Sequence, residues 1–129
     1  MDVGSPSNFE RLYTLLSAEK LRDWVWGTSV SDRTTLARMA KTYQAHNYIA
    51  CPHTAVGLEG VARYREETGD STPVITLACA HPAKFPKAVS KALGIKPLED
   101  ETLEALKQKE TSVKTLEPNL EALRNELLT

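Results

Sequence analysis

The apolar run at residues 74–79 is the feature that most constrains the fold of this chain. It reads Val-Ile-Thr-Leu-Ala-Cys and lacks the alternation of a half-exposed strand. A continuous apolar strand of this kind is typical of a parallel sheet that is covered on both faces. The rest of the sequence offers at most one further short extended piece, at residues 48–50. We therefore expect one late buried strand, whose partner strands the chain does not itself supply.

Composition excludes several classes of protein. Hydrophobic residues make up 41% and charged residues 26% of the 129 residues, which are ordinary globular values. No apolar run approaches the ~20 residues that a membrane span needs. Sixteen basic and seventeen acidic residues leave a net charge of -1, so the sequence shows no electrostatic footprint for nucleic acid or membranes. We expect neither as a partner.

The cysteines and histidines do not indicate a metal site. Cys51 and Cys79 lack a metal-ligand spacing and each sits among apolar residues, which favours two buried free thiols over a disulfide. His46 has no metal-type ligand beside it and is expected at the surface. The N-terminus carries no secretory pattern, and with free thiols this predicts a cytoplasmic location.

Capping residues and glycine stops predict a predominantly helical chain. The third helix begins after the cap Ser31, with Arg38 and Lys41 expected to face solvent. The fourth helix ends at Gly69, and glycines within it indicate a close backbone approach. The expected helices lie near residues 6–16, 21–27, 31–43, 53–68, 86–94, 101–109 and 119–128. With the strand at residues 74–79, the predicted fold class is α/β, mainly helical by residue count.

Three segments are expected along the chain. Residues 1–47 form a helical segment. Residues 48–95 form the end of a sheet with flanking helices, and residues 96–129 form a charged helical tail.

Three motifs carry a resemblance to a known family. Pro-His-Thr-Ala-Val-Gly stands at residues 52–57, Ala-His-Pro-Ala-Lys-Phe at residues 80–85, and a Pro-Ser-Asn-Phe-Glu-Arg-Leu run at residues 6–12. The order and the residue identities of these motifs resemble those of the C-terminal portion of threonine synthase. The resemblance implies a fold-type II pyridoxal-phosphate enzyme that converts O-phosphohomoserine to threonine. The family's enzyme is several times longer, and its Schiff-base lysine and glycine-rich phosphate loop lie upstream of everything in this sequence.

The resemblance implies a cofactor contact at Cys79. The family has a threonine at this position, which we match to the partner of the pyridine nitrogen. A thiol is a weaker donor and acceptor than a hydroxyl, so the contact would be softened. The alternative is that Cys79 is only a small buried core residue.

Five further positions have more than one interpretation. His81 and Lys84 could form an acid-base pair, or Lys84 could carry an internal aldimine. The favoured roles are turn formation for His81 and, for Lys84, exposure or a bond to a carbonyl at a helix end. His53 lies near the family's site and could equally cap backbone groups at a helix start. Ser7 and Asn8 stand at a helix start where backbone N–H groups bind anions, although N-capping is the favoured role. No catalytic residue is assigned.

The sequence predicts the C-terminal part of threonine synthase, inactive alone. Pyridoxal phosphate is expected in the intact enzyme but not on this chain by itself. The implied partner is an upstream cofactor-domain segment, in the same or a separate chain, and O-phosphohomoserine is the implied substrate. Two alternatives remain: a non-catalytic module that docks onto a separate front half or another chain, and a degenerate gene product.

Overall fold

The computed structural model of the chain describes residue 7, residues 9–96 and residues 98–128. The described residues form seven α-helices and one short 3-10 turn, at Pro82–Lys84. The α-helices are α1 (Phe9–Leu15), α2 (Ala18–Trp24), α3 (Asp32–His46), α4 (Pro52–Thr68), α5 (Pro86–Leu93), α6 (Glu101–Lys107) and α7 (Leu120–Leu128). The chain divides into two compact units, residues 1–98 and residues 99–129.

The core of the first unit lies where α3, α4 and α5 meet. Met39 of α3, Ala55 of α4 and Val89 of α5 are fully buried there, together with Ala50 from the segment before α4. Partly buried side chains surround them, among them Leu36, Ile49, Leu58, Ala92 and Leu93. These apolar residues recur at helical spacing, so they form one apolar face on each helix, and that face packs against the neighbouring helices.

Helix ends follow the capping chemistry expected from the sequence. The Ser31 hydroxyl accepts a hydrogen bond from the backbone N–H of Thr34 at 3.3 Å and starts α3. Gly69 and Gly94 end α4 and α5 in the left-handed region, at φ 71° and 67°. Asn47 ends α3 at φ 50°, a conformation that asparagine tolerates better than most residues. These stops fix the lengths of the three core helices.

Arg38 contradicts the prediction that it faces solvent. Its Nη2 lies 2.6 Å from Glu59 Oε2, and the two side chains are only 18% and 14% exposed. Arg63 contacts the other carboxylate oxygen of Glu59 at 3.0 Å and also donates to the carbonyl of Ser29 at 2.7 Å. This network joins α3, α4 and the segment before α3. Helical periodicity could not reveal it, because the partner of Arg38 stands on another helix.

The predicted late buried strand is wrong. Residues 74–79 belong to no helix or strand, and no strand occurs among the described residues. Ile75 is 89% and Leu77 is 77% exposed. A strand needs a hydrogen-bonded neighbour, and the described chain supplies none for this segment. The fold is therefore all-helical rather than α/β, although the prediction of a predominantly helical chain holds.

The second unit holds α6 and α7. Asp100 caps α6 by accepting from the Leu103 N–H at 3.0 Å, and Asn119 accepts from the Ala122 N–H at 2.8 Å at the start of α7. Lys114 forms an ion pair with Glu126 of α7. Across the described helices of both units, none combines the length and apolar character that a membrane crossing needs.

Candidate functional site

The N-terminus of α4 and the loop at residues 79–86 form the candidate site. Cys51 is the N-cap of α4: its Sγ accepts from the Thr54 N–H at 3.4 Å and lies 3.2 Å from the Thr54 hydroxyl. Burial raises the pKa of the Cys51 thiol, but hydrogen bonds from Thr54 and from the backbone N–H groups of His53 and Ala80 together hold it below its ordinary value.

A ring–ring contact and a hydrogen bond to a histidine ring hold the loop. His53, in the first turn of α4, meets Phe85 edge to face with ring centroids 5.1 Å apart. His81 Nδ1 accepts from the Ala83 N–H at 3.3 Å and caps the 3-10 turn. Because Nδ1 accepts, the proton of a neutral His81 ring is assigned to Nε2. His81 therefore shapes the turn, the role that the sequence favoured.

The predicted site residues separate into buried and exposed groups. The prediction of a buried free thiol is confirmed for Cys51 and wrong for Cys79, whose free thiol is exposed. The alternative that Cys79 is a small buried core residue therefore does not hold for the described chain. Lys84 is exposed, as is His46.

The predicted anion-binding helix start is only partly within the described chain. Ser7 is exposed, and its carbonyl accepts from the Glu10 N–H at 3.2 Å. Asn8 lies outside the described residues, so neither of its two predicted roles is tested.

The sequence analysis missed an apolar groove beside α4. Its volume is about 460 Å³ and its walls are Trp26, Gly27, Thr28, Val30, Val56, Gly57, Gly60, Val61, Tyr64 and Val74. Trp26 packs edge to face on Tyr64, with centroids 5.6 Å apart. The spacing of Gly57 and Gly60, one helical turn apart, was the available signal. A methyl group at Gly57 would come within 2.8 Å of Thr76 Cγ2, so the group that approaches α4 there is a side chain, whereas the glycines predicted an approach of the backbone.

The contact between Cys79 and a cofactor stays a prediction. The Cys79 thiol is free and exposed, so no packing within the described residues covers it. The neighbouring loop is held by the His81 cap and the His53–Phe85 contact. Within residues 9–96 and 98–128, no group of three or more His, Cys, Asp or Glu side chains is placed to hold a metal ion.

Comparison with a solved structure shows that the fold is one part of a larger protein. The chain is similar to the crystal structure of pyridoxal-phosphate-bound threonine synthase from Brucella melitensis, with a TM-score of 0.59 and 27% identity. The alignment covers 98% of this chain but 32% of that chain. The class that the fold defines is therefore one that corresponds to about a third of a longer protein.

Sequence comparison identifies the family. A family model described as "Threonine synthase, C-terminal" matches residues 54–126, which include most of α4 and the whole loop. The chain belongs to the threonine synthase family, which confirms the resemblance drawn from the motifs.

Three relatives show how much of the family protein is present. Threonine synthase of Schizosaccharomyces pombe is 37% identical over 80% of this chain and 22% of its own length. Threonine synthase of Pseudomonas aeruginosa is 34% identical over 71% and 25%. Threonine synthase-like 2 of Homo sapiens is 31% identical over 86% and 28%. The chain thus spans about a quarter of the length of these relatives.

Proposed function

We propose that this chain is the C-terminal part of a threonine synthase, a lyase that converts O-phosphohomoserine to threonine. The observation that supports this most strongly is the family match across residues 54–126, which joins α4, the loop and α5 in one continuous segment. The similarity to a pyridoxal-phosphate-bound relative supports the same cofactor in the intact enzyme. Two free thiols suit a reducing compartment, and we place the protein in the cytoplasm.

In this proposal the chain contributes a contact rather than the whole reaction centre. Pyridoxal phosphate supplies the electron sink that stabilises negative charge on the substrate carbon. Cys79 would contact the pyridine nitrogen of the cofactor, and the His81 cap would hold the loop at residues 79–86 in position. The upstream cofactor-domain segment provides the Schiff-base lysine and the phosphate loop. The chain alone is therefore inactive.

A chimera tests the proposal. In S. pombe threonine synthase, the region aligned with this chain is replaced by residues 1–129 of this sequence and expressed in a threonine-requiring strain. We expect growth without threonine, whereas the same enzyme truncated before the replaced region and this chain alone should give none. Failure of a folded, cofactor-loaded chimera to form threonine in vitro would refute the proposal.

Cofactor binding by the chain alone is a separate measurement. Pyridoxal phosphate is added to the isolated chain, and borohydride reduction then fixes any lysine adduct for mass spectrometry. We expect no stoichiometric label on a single lysine. Specific labelling of Lys84 would show that the chain carries its own cofactor lysine.

A second candidate is a non-catalytic module that docks onto a separate front half. The observation in its favour is the exposure of Ile75 and Leu77, large apolar side chains that a partner could cover. Co-expression of this chain with the truncated S. pombe enzyme distinguishes the two functions. A stable complex that forms threonine supports the enzyme, and a stable complex without activity supports the module.

A further inference from the structure

The two free cysteines belong to the two segments that meet at the N-terminus of α4. Cys51 is the buried N-cap of that helix, and Cys79 is the exposed last residue of the apolar run at residues 74–79. Sulfur is an unusual cap, because the side-chain oxygens of serine, threonine, aspartate and asparagine are the preferred acceptors at this position. Capping therefore does not by itself require a thiol at the start of α4.

Two contacts place the chain between residues 76 and 85 along the N-terminal half of α4. A methyl group added to Gly57 would come within 2.8 Å of Thr76 Cγ2. Phe85 meets His53, in the first turn of α4, with ring centroids 5.1 Å apart. The chain between these two contacts therefore runs from the second turn of α4 toward its N-terminus.

Chain spacing allows Cys79 to reach the level of Cys51. The rise of α4 from its N-cap Cys51 to Gly57 is about 9 Å, at 1.5 Å per residue. The chain from Thr76 to Cys79 spans up to about 10 Å. The backbone N–H of Ala80, the next residue, is among the groups that hydrogen bond to the Cys51 thiol and lower its pKa. Consecutive Cα atoms are about 3.8 Å apart, so Cys79 lies close to that thiol.

We infer that Cys51 and Cys79 form a reversible disulfide when the chain meets an oxidised low-molecular-weight thiol such as glutathione disulfide. A disulfide needs Cα atoms about 4.4–6.8 Å apart and side chains that point at each other. The Cys79 side chain is exposed, so the chain must turn at this residue, and no strand pairing among the described residues opposes the turn. In a reducing compartment a bond of this kind is transient and serves redox sensing.

Exposure decides the order of the two exchange steps. The exposed Cys79 thiolate attacks one sulfur of glutathione disulfide, forms a mixed disulfide and releases one glutathione thiolate. The buried Cys51 thiolate then attacks the Cys79 sulfur and releases the second glutathione thiolate. Two protein thiols thus lose two electrons and two protons, and one glutathione disulfide becomes two glutathione molecules. The hydrogen bonds that lower the pKa of the Cys51 thiol favour the thiolate that the second step needs.

Mass spectrometry of the intact chain after treatment with glutathione disulfide tests both steps. The wild-type chain should lose two hydrogen atoms and carry no glutathione, and peptide mapping should join Cys51 to Cys79. Dithiothreitol should reverse the change. A wild-type chain that stays reduced, that keeps glutathione on Cys79, or that links to a second chain would overturn the inference.

Two single substitutions check the order of the steps. Cys51→Ser keeps an acceptor at the cap and should leave one glutathione on Cys79, because the attacking thiol of the second step is gone. Cys79→Ser should stay unmodified, because Cys51 is buried. Circular dichroism of each variant checks that the helices persist. Glutathione on Cys51 in a folded Cys79→Ser chain would contradict the proposed order.

The consequence for the cofactor rests on the proposed function, in which Cys79 contacts pyridoxal phosphate. In the chimera described above, bound cofactor should slow formation of the disulfide, whereas pyridoxal phosphate added to the isolated chain should not. The same mass measurement, taken over time, gives the rates. If the disulfide forms in the chain and the cofactor gives no protection in the chimera, the disulfide stands and the contact at Cys79 is refuted.

Discussion

At the scale of single residues, the two cysteines show how the environment of one residue type sets its role. Cys51 is buried and accepts hydrogen bonds at the start of α4, where serine, threonine, aspartate or asparagine is the usual cap. Cys79 is exposed and contributes nothing to the core. The sequence surrounds both with apolar neighbours, so neighbouring residues alone predicted the same burial for each.

The cap predicts a stability difference at Cys51. Cys51→Ala removes the acceptor of the Thr54 N–H and should lower the free energy of unfolding by about 1 kcal/mol, whereas Cys51→Ser keeps an acceptor. Urea unfolding followed by circular dichroism measures both. Because folding lowers the pKa of the Cys51 thiol, the thiolate favours the folded state.

That stabilisation therefore appears as pH rises through the folded-state pKa and is complete above about 9, the ordinary value. It is absent at lower pH, where the thiol is protonated in both states. Cys51→Ser should lack this rise. A pH-independent difference between wild type and Cys51→Ser would show that the thiolate has no part in capping.

The proposed cofactor contact makes Cys79 a second test. In the chimera, Cys79→Thr should retain or improve turnover because a hydroxyl is the stronger hydrogen-bonding group. Cys79→Ala should reduce turnover by an amount corresponding to about 1 kcal/mol, the value of one hydrogen bond. Steady-state kinetics with saturating pyridoxal phosphate provides the measurement. Equal turnover of all three proteins would remove Cys79 from the site.

At the scale of elements, local signals predicted α3, α4 and α5 well. Ser31, Gly69 and Gly94 act through bonds and backbone angles within their own segments, so sequence reveals them. Contacts between elements were harder to predict. The glycines of α4 predicted a close approach, but only the structure shows that Gly57 makes it and that a Cβ at Gly60 would meet open space.

The two glycines provide a matched pair of substitutions. Gly60→Ala should raise the free energy of unfolding by up to about 1 kcal/mol, because alanine is the better helix former and nothing lies within 4 Å of the new methyl group. Gly57→Ala should lose that gain through the 2.8 Å approach to Thr76 Cγ2. Adding Thr76→Ala to Gly57→Ala should restore it. Thermal and urea unfolding of the set checks the order, and equal effects at both glycines would contradict it.

The ion pairs of Glu59 with Arg38 and Arg63 should contribute to the free energy of unfolding. Glu59→Gln leaves Arg38 half-buried without its carboxylate and should cost about 2 kcal/mol of unfolding free energy. Glu66→Gln, an exposed position on the same helix, is the control and should change little. Burial raises the pKa of Glu59, but hydrogen bonds from Arg38 and Arg63 outweigh it and lower the pKa below 4.5.

The Glu59 contribution is therefore present above pH 4.5 and disappears as pH falls through the lowered pKa. Wild type and Glu59→Gln should converge in stability at acid pH. Acid titration of both proteins, followed by circular dichroism in the presence of urea, measures this. A gap that stays constant down to pH 3 would assign the loss to packing instead of charge.

At the scale of the whole molecule, the one large error concerns residues 74–79. The continuous apolar run is typical of a strand that is covered on both faces. It therefore predicted a buried strand. The described chain contains no strand to pair with this segment, and Ile75 and Leu77 are exposed. The family assignment succeeded because it depended on residue identity in the motifs, which does not require the missing neighbours to be present.

The exposed segment predicts that the isolated chain self-associates. Ile75 and Leu77 are 89% and 77% exposed and present apolar surface that water solvates poorly. Ile75→Lys with Leu77→Lys should shift the chain toward monomer in size-exclusion chromatography over a concentration series. Val113→Lys is the control, because Val113 is 85% exposed but lies in the second unit. Since neither Ile75 nor Leu77 packs in the core, the double variant should keep its helical circular dichroism signal. A wild-type chain that stays a compact monomer at high concentration, with sharp cooperative unfolding, would show that it is self-sufficient and that this surface needs no partner.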